Sequence, residues 1–96
     1  MALRTQMLAA YDVADNKARK HLMENLKDLG LVHIQKSVMW GYLSKAEQSA
    51  ALGLFEELLE SSDKAFLIRA NLTDQLIHFV GTIPESIQEP KPYDIL

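Results

Sequence analysis

The sequence predicts a single domain of the α/β or α+β class, in which helices cover one face of a sheet. Its 96 residues are about the length of one compact domain. Short apolar runs alternate with two segments of helical periodicity, in the order strand, helix, long or split strand, helix, strand, strand. A hydrophobic fraction of 48% and a net charge of −3 are typical of a globular protein and argue against disorder.

The first strand is predicted at Met7–Tyr11, a wholly apolar run that ends at Asp12. Such a run suits a strand that is covered on both faces, and periodicity alone leaves a buried helical turn as the alternative. A helix is predicted over Asp15–Leu29, where apolar residues recur at intervals of four, four and three. Asp15 can act as its N-cap, and Gly30 stands where a left-handed C-terminal stop is expected.

Residues 32–43 are extended in character but too long for one strand. Their number, twelve, exceeds the usual strand length of about 5–6 residues, so a break is predicted at Lys36–Ser37. The stretch Ser44–Glu47 then matches a capping box, in which serine and glutamate satisfy each other's free backbone donors. The second helix starts there, and its apolar stripe extends as far as Ser61–Ser62.

Two further strands are predicted at Ala65–Ile68 and Leu76–Val80, with Asn71–Gln75 between them. After Gly81, three prolines break any regular element. Two helices cannot cover both faces of a four- or five-stranded sheet, yet the strands are apolar on both. A dimer that packs sheet to sheet is therefore predicted.

Composition and charge also limit the classes of protein to which the chain can belong. The absence of cysteine excludes disulfides and thiolate metal sites, and it favours a reducing, cytoplasmic environment. No apolar run approaches the ~20 residues of a membrane-spanning helix, and the first residues do not resemble a signal peptide. Residues 1–45 carry a net charge of +3 and residues 46–96 a net charge of −6. The acidic total argues against a protein that coats nucleic acid, but the basic half permits a local phosphate-binding face.

Asp12 and Asp15 are the polar residues with the greatest chemical potential. Asp12 ends an apolar strand, and α/β folds commonly place their sites at the carboxyl ends of strands. A carboxylate there can bind Mg²⁺, a hard cation that prefers oxygen ligands and keeps several waters. Alternatively, both aspartates only form a turn and cap the first helix. The spacing leaves both interpretations open.

Lys17, Arg19 and Lys20 follow on the first helix and could contact phosphates beside a metal, although a solvated helix face is the alternative. Trp40 and Tyr42 could stack on bases, but aromatic residues at such positions more often lie in a core or a dimer interface. The three histidines have neither zinc spacing nor a cysteine partner, so structural or surface roles are expected for them.

Two motifs resemble the small CRISPR-associated endonuclease family, the non-integrase partner of the universal spacer-adaptation pair. The first is Leu8–Lys20, in which an apolar strand ends in Tyr11-Asp12 and is followed by an acidic turn and a basic helix. The second is Gly30–Ser44, which resembles the family pattern of glycine, short strand, Gln-aromatic-Ser-Val-aromatic, then glycine and leucine. Residues 65–83 also resemble the last core strands of the family.

The chain departs from the family pattern at two positions. Lys36 stands where an aromatic residue is usual, and Met39 stands where Phe is frequent. Both departures concern packing or the strand junction, and neither affects the expected metal ligand.

The resemblance implies an α+β fold, a ferredoxin-like β-α-β-β-α-β sandwich with an extra C-terminal strand. Residues 1–83 would form the core domain. Residues 84–96 would form a tail that crosses to the second chain of a homodimer, in which the two sheets face each other.

The resemblance also implies an activity. Asp12 matches the family's metal-binding aspartate, and the implied reaction is Mg²⁺-dependent hydrolysis of phosphodiester bonds in RNA or double-stranded DNA. Lys17, Arg19 and Lys20 would contact nucleic acid, and the integrase would be the protein partner. Two alternatives stay open: a structural adaptor that spans DNA without catalysis of its own, and an unrelated ferredoxin-like dimer that binds a regulatory ligand.

Overall fold

The computed structural model describes residues 3–73, 78–82 and 87. Four strands form one antiparallel sheet in the order β2-β3-β1-β4, and two helices complete the ferredoxin-like β-α-β-β-α-β sequence of elements. The elements are β1 (Thr5–Asp12), α1 (Asn16–Leu29), β2 (Val32–Gln35), β3 (Val38–Leu43), α2 (Lys45–Leu58) and β4 (Lys64–Arg69). The predicted fold class is confirmed, and the predicted starts of β1, α1, β2, α2 and β4 lie within two residues of those observed.

β1 lies between β3 and β4, and its alternation of side chains defines the two faces of the sheet. Met7, Ala9 and Tyr11 are buried in the core beneath the helices, while Leu8 and Ala10 between them are half-buried on the opposite face. The predicted strand is thus an interior strand of the sheet, with one face in the core and the other half-buried in the single chain.

The turn between β2 and β3 lies at Lys36–Ser37, as the length of the extended segment predicts. Ser37 adopts a φ of 62°, which lies in the left-handed region that glycine and asparagine usually occupy. Its carbonyl accepts a hydrogen bond from the Tyr11 backbone N–H at 3.1 Å, which ties the turn to the end of β1. The left-handed position of this turn, where glycine is usual, is occupied by a serine. The turn therefore carries no glycine or proline by which the sequence would mark it.

Both helices begin at the predicted caps. The Asp15 carboxylate accepts a hydrogen bond from the Ala18 N–H at 2.8 Å, and Gly30 ends α1 with a φ of 117°. Ser44 and Glu47 form the reciprocal bonds of a capping box at the start of α2. Among the described residues, no helix has both the length and the apolar character needed to cross a membrane.

The expectation that the stripe of α2 continues to Ser61–Ser62 is wrong, since the helix ends at Leu58. Leu59 leaves the helix with a ψ of 141°. A short turn follows, in which the Glu60 N–H donates to the Asp63 carboxylate and the Asp63 N–H donates to the Glu60 carbonyl. These local bonds satisfy the backbone that a longer helix would otherwise satisfy.

Only part of the C-terminal predictions falls within the described residues. Of the predicted strand Leu76–Val80, residues 78–80 are described and form no strand. Residues 76–77 and, apart from the buried Ile87, the tail 84–96 lie outside the described residues. The extra strand and the crossing of the tail to a second chain therefore stay predictions.

The sheet face opposite the helices carries exposed apolar side chains. Phe66 is 52% exposed and Ile68 is 47% exposed, and both alternate with half-buried residues of β4 that pack on the core. Trp40 lies on the same face of β3 but is buried, and its indole N–H donates to the Ala70 carbonyl at 2.7 Å. Trp40 is thus a core residue of the chain, not a free surface for stacking on bases.

Gly41 of β3 offers a test of the packing between the sheet and the end of α1. A Cβ at this position would lie 2.6 Å from the Gly30 carbonyl oxygen. We expect Gly41→Ala to lower the free energy of unfolding by about 1–3 kcal/mol, the usual cost of overpacking a core. The measurement is the midpoint of urea unfolding at a fixed protein concentration.

The matched control is Gly53→Ala in α2, because a Cβ at Gly53 would have no neighbour within 4 Å. This change should raise the stability by about 0.5–1 kcal/mol through the higher helix propensity of alanine. A Gly41→Ala protein as stable as the wild type would contradict the close approach of the two backbone segments.

Candidate functional site

Asp12 is the last residue of β1, and its side chain is exposed. It follows the buried Tyr11, so the alternation of the strand places the two side chains on opposite faces of the sheet. Its register partner on β4 is Lys64. Within the part of the chain that the structure describes, the Asp12 carboxylate forms no hydrogen bond or ion pair. Its oxygens are therefore available to a ligand.

The loop after Asp12 is held at both ends. The Ala14 N–H donates to the Asp63 carboxylate at 3.1 Å, which links this loop to the turn before β4. Val13, which lies between Asp12 and Ala14 in the sequence, is buried in the core. Asp15 then caps α1, as the alternative interpretation of this residue predicts. The hydrogen bonds from the Glu60 and Ala14 backbones lower the pKa of Asp63.

Arg19 is half-buried and directed back onto the same loop. Its Nη1 donates to the Val13 carbonyl at 2.8 Å, and its Nη2 donates to the Asn16 side-chain oxygen. Burial raises the pKa of Tyr11, and the positive charge of Arg19 opposes this shift without cancelling it. The Tyr11 hydroxyl therefore stays protonated and can donate a hydrogen bond at neutral pH.

The sequence-predicted site residues separate into two groups. Arg19 and Lys20 line a pocket of about 240 Å³ between the start of α1 and the β2–β3 turn, whereas Lys17 and Asp12 do not. Of the described residues, four basic side chains and no carboxylate line the pocket. Its lining residues are Tyr11, Asn16, Arg19, Lys20, Met23, His33, Lys36 and Ser37.

His33, Lys36 and Ser37 were not predicted as functional residues. His33 is exposed on β2, and Lys36 and Ser37 form the turn to β3. The antiparallel pairing of β3 with β1 brings this turn beside Tyr11 and the first turns of α1. The departure of Lys36 from the family's aromatic pattern is the signal that could have identified this group, because it adds a cation there.

The donor set at Asp12 fits Mg²⁺ but not zinc. Among the described residues, no group of three or more His, Cys, Asp or Glu side chains could hold a metal ion. Mg²⁺ needs no such group, since it is usually held by one or two carboxylates together with waters and substrate phosphates. The carboxylate of Asp12, which has no partner in the described part of the chain, offers hard oxygen ligands of the kind that this mode of binding requires.

Comparison with known proteins gives consistent matches. The model of the family described as CRISPR associated protein Cas2 matches residues 5–76. A curated relative from Francisella tularensis subsp. novicida (strain U112), named CRISPR-associated endoribonuclease Cas2 1, is 44% identical over 79 residues. The match covers 82% of this chain and 81% of the relative.

Solved structures share the fold at lower identity. The crystal structure of a hypothetical protein, TT1823, from Thermus thermophilus matches this chain with a TM-score of 0.71 at 23% identity. The match covers 84% of this chain and 95% of the TT1823 chain. A crystal structure of cas2 has a TM-score of 0.69 at 20% identity and covers 92% of this chain and 99% of its own. Both support the ferredoxin-like fold.

The hydrogen bonds that the Asp63 carboxylate accepts from the Ala14 and Glu60 N–H groups should make the free energy of unfolding depend on pH. Because its bonds to two backbone N–H groups lower the pKa of Asp63 in the folded protein, the ionised carboxylate stabilises the fold. This stabilisation is fully present above the unfolded-state pKa of about 3.9 and is lost as the pH falls through the lower folded-state pKa. The difference in urea midpoint between wild type and Asp63→Asn should thus be largest near neutral pH and should shrink below about pH 4.

Asp28→Asn is the control, because the exposed carboxylate of Asp28 on α1 forms no hydrogen bond with the described residues. Its difference from the wild type should be small at every pH. A difference for Asp63→Asn that stays constant from neutral pH to about pH 3 would show that the carboxylate does not hold the loop.

Proposed function

The chain belongs to the CRISPR-associated Cas2 family, and from this membership we propose that it is a CRISPR adaptation protein with nuclease activity. The relative that is 44% identical is named an endoribonuclease, which supports a phosphodiester substrate. The observation that carries the activity is the unpaired, exposed carboxylate of Asp12 at the end of the central strand. RNA and double-stranded DNA are both candidate substrates.

We assign Asp12 as the metal-binding and catalytic residue of this activity. When bound, Mg²⁺ would polarise the phosphodiester and lower the pKa of a water molecule that attacks it. Asp12 would bind the cation through its free oxygens, while the links from Asp63 and Arg19 hold the following loop in place. Lys17 and Lys20 are exposed on α1 and would contact the phosphate backbone of the nucleic acid.

A homodimer would complete the site. The exposed apolar residues Phe66 and Ile68 lie on the sheet face opposite the helices, the side to which the alternation of β1 also assigns Asp12. Packing two such faces together would cover the apolar residues and bring the two copies of Asp12 toward one another. In this arrangement, the tail 84–96 would cross to the second chain.

A structural role is the second candidate function. Lys17 and Lys20 on α1 are accessible whether or not Asp12 catalyses a reaction. A dimer that presents two such helices could hold DNA and the CRISPR integrase together during spacer acquisition, while the integrase supplies the strand-transfer chemistry. This role and the nuclease activity are compatible, since they use different side chains.

Asp12→Asn should abolish cutting and leave the fold intact. Asparagine is nearly isosteric with aspartate but lacks the negative charge that a divalent cation needs. We expect at least a ~100-fold loss of cleavage of labelled RNA or duplex DNA with Mg²⁺, and the wild type should lose activity to the same level in EDTA.

Asp15→Asn is the matched control, because asparagine caps helices as well as aspartate does. This variant should retain most of the activity. Equal cutting by the wild type and Asp12→Asn would reject catalysis through Asp12. If neither protein cuts while Lys17→Ala/Lys20→Ala still lowers spacer acquisition, the structural role would replace the nuclease role.

The proposed dimer predicts a light-scattering mass of twice the 10.8 kDa chain at micromolar concentration. Obligate interfaces commonly bury more than about 2,000 Å² and lose affinity when a charge enters their apolar centre. Phe66→Glu should therefore shift the mass toward that of one chain.

Leu52→Glu on α2 is the control, because Leu52 is 47% exposed and lies on a helix away from the proposed interface. It should leave the dimer unchanged. A wild-type mass near 10.8 kDa over a broad dilution series would exclude the dimer.

A further inference from the structure

The pocket between α1 and the β2–β3 turn concentrates positive charge in a chain with a net charge of −3. Arg19, Lys20 and Lys36 supply three basic side chains, and His33 adds a ring N–H donor. Among the residues that the structure describes, no Asp or Glu lines the pocket, so the lining itself does not neutralise these groups. Such a pocket selects an anion.

The donors of the pocket suit phosphoryl oxygens. Asn16 and Ser37 add an amide and a hydroxyl to the lining, and Tyr11, whose hydroxyl stays protonated, is a buried member of it. Arg19 is already held by the Val13 carbonyl and the Asn16 side chain, so its guanidinium is fixed in position before a ligand arrives. Charge-assisted bonds from fixed donors are the strong contacts of phosphate sites.

The charge of the pocket, more than its size, favours the terminal phosphate of a nucleic-acid strand over an internal phosphate. Its volume of about 240 Å³ is below the roughly 300–1,000 Å³ of typical small-molecule sites but leaves room for a phosphate group. An internal phosphodiester carries one negative charge and has chain on both sides. A terminal phosphate carries about −1.5 to −2 at pH 7 and can enter a small pocket from one side.

We propose that this pocket binds the terminal phosphate of a nucleic-acid strand, a phosphomonoester group. The inference rests on the proposed nucleic-acid function for the source of the phosphate, but it assigns a site separate from Asp12. Tyr11 and Asp12 project to opposite faces of the sheet, and Asp12 does not line the pocket. The pocket therefore anchors a strand end without taking part in cleavage.

The test compares three short single-stranded oligonucleotides of one sequence, with a 5′-phosphate, a 3′-phosphate or hydroxyl groups at both ends. Binding to the full chain is measured by fluorescence anisotropy in EDTA, so that cleavage plays no part. The wild type should bind one or both phosphorylated strands about five-fold more tightly than the hydroxyl strand. Equal affinity for all three strands would overturn the proposal.

Lys20→Ala and Lys36→Ala should each remove most of this preference. Lys17→Ala is the matched control on the same helix, since Lys17 is exposed but does not line the pocket. It should weaken binding of the three strands equally and leave their ratio unchanged. A preference that survives in both pocket variants, or one that Lys17→Ala removes to the same extent, would refute the assignment.

Two further controls keep the result specific. Lys20 and Lys36 are exposed, so their variants should unfold at the same urea concentration as the wild type. Inorganic phosphate at the concentration of the oligonucleotide should leave the preference in place. Complete displacement by the ion would assign the pocket to free phosphate and overturn the role in binding strand ends. Failure of Asp12-dependent cutting, by contrast, would leave this binding result unaffected.

Discussion

The position of β1 between β3 and β4 is the constraint on which the rest of the structure depends. Because successive side chains of a strand point to opposite faces, this central strand assigns Tyr11 to the helix side and Asp12 to the other side. Two consecutive residues thus belong to the two different surfaces where nucleic acid could be bound, the pocket that Tyr11 lines and the sheet face that carries Asp12. The phosphate pocket belongs to a single chain, while the face that carries Asp12 also carries the exposed Phe66 and Ile68.

The Asp12 carboxylate has no partner among the described residues because other side chains bind the loop that follows it. The Asp63 carboxylate accepts a hydrogen bond from the Ala14 N–H, and the Arg19 guanidinium donates one to the Val13 carbonyl, so these two groups of the loop are satisfied without Asp12. The Asp15 carboxylate accepts a hydrogen bond from the first turn of α1. Of these three aspartates, Asp12 is thus the one that the described local structure does not use.

Local signals were sufficient to predict most of the fold. Asp15, Gly30 and the capping box at Ser44 each act within a few residues of their own position, so sequence spacing identifies them. The left-handed Ser37 had no such signal, because serine seldom adopts this conformation. The departure at Lys36 signalled an added cation, but the pocket that it lines could not be predicted from local signals, since the pocket forms only when the register of β3 on β1 brings the β2–β3 turn to α1. The early end of α2 likewise depends on Asp63, which serves the turn and the distant Ala14 together.

The charge asymmetry of the sequence lies between the two helices and not between the edges of the sheet. α1 belongs to the basic half, whereas α2, apart from its first residue, belongs to the acidic half. β4 also belongs to the acidic half, yet it carries Lys64 and Arg69 and no carboxylate. Interactions between exposed charges are largely screened beyond the Debye length of about 8 Å at physiological ionic strength, so a bound phosphate responds mainly to the charges that surround it. A negative net charge is therefore compatible with phosphate binding beside α1, where the lining of the pocket is basic.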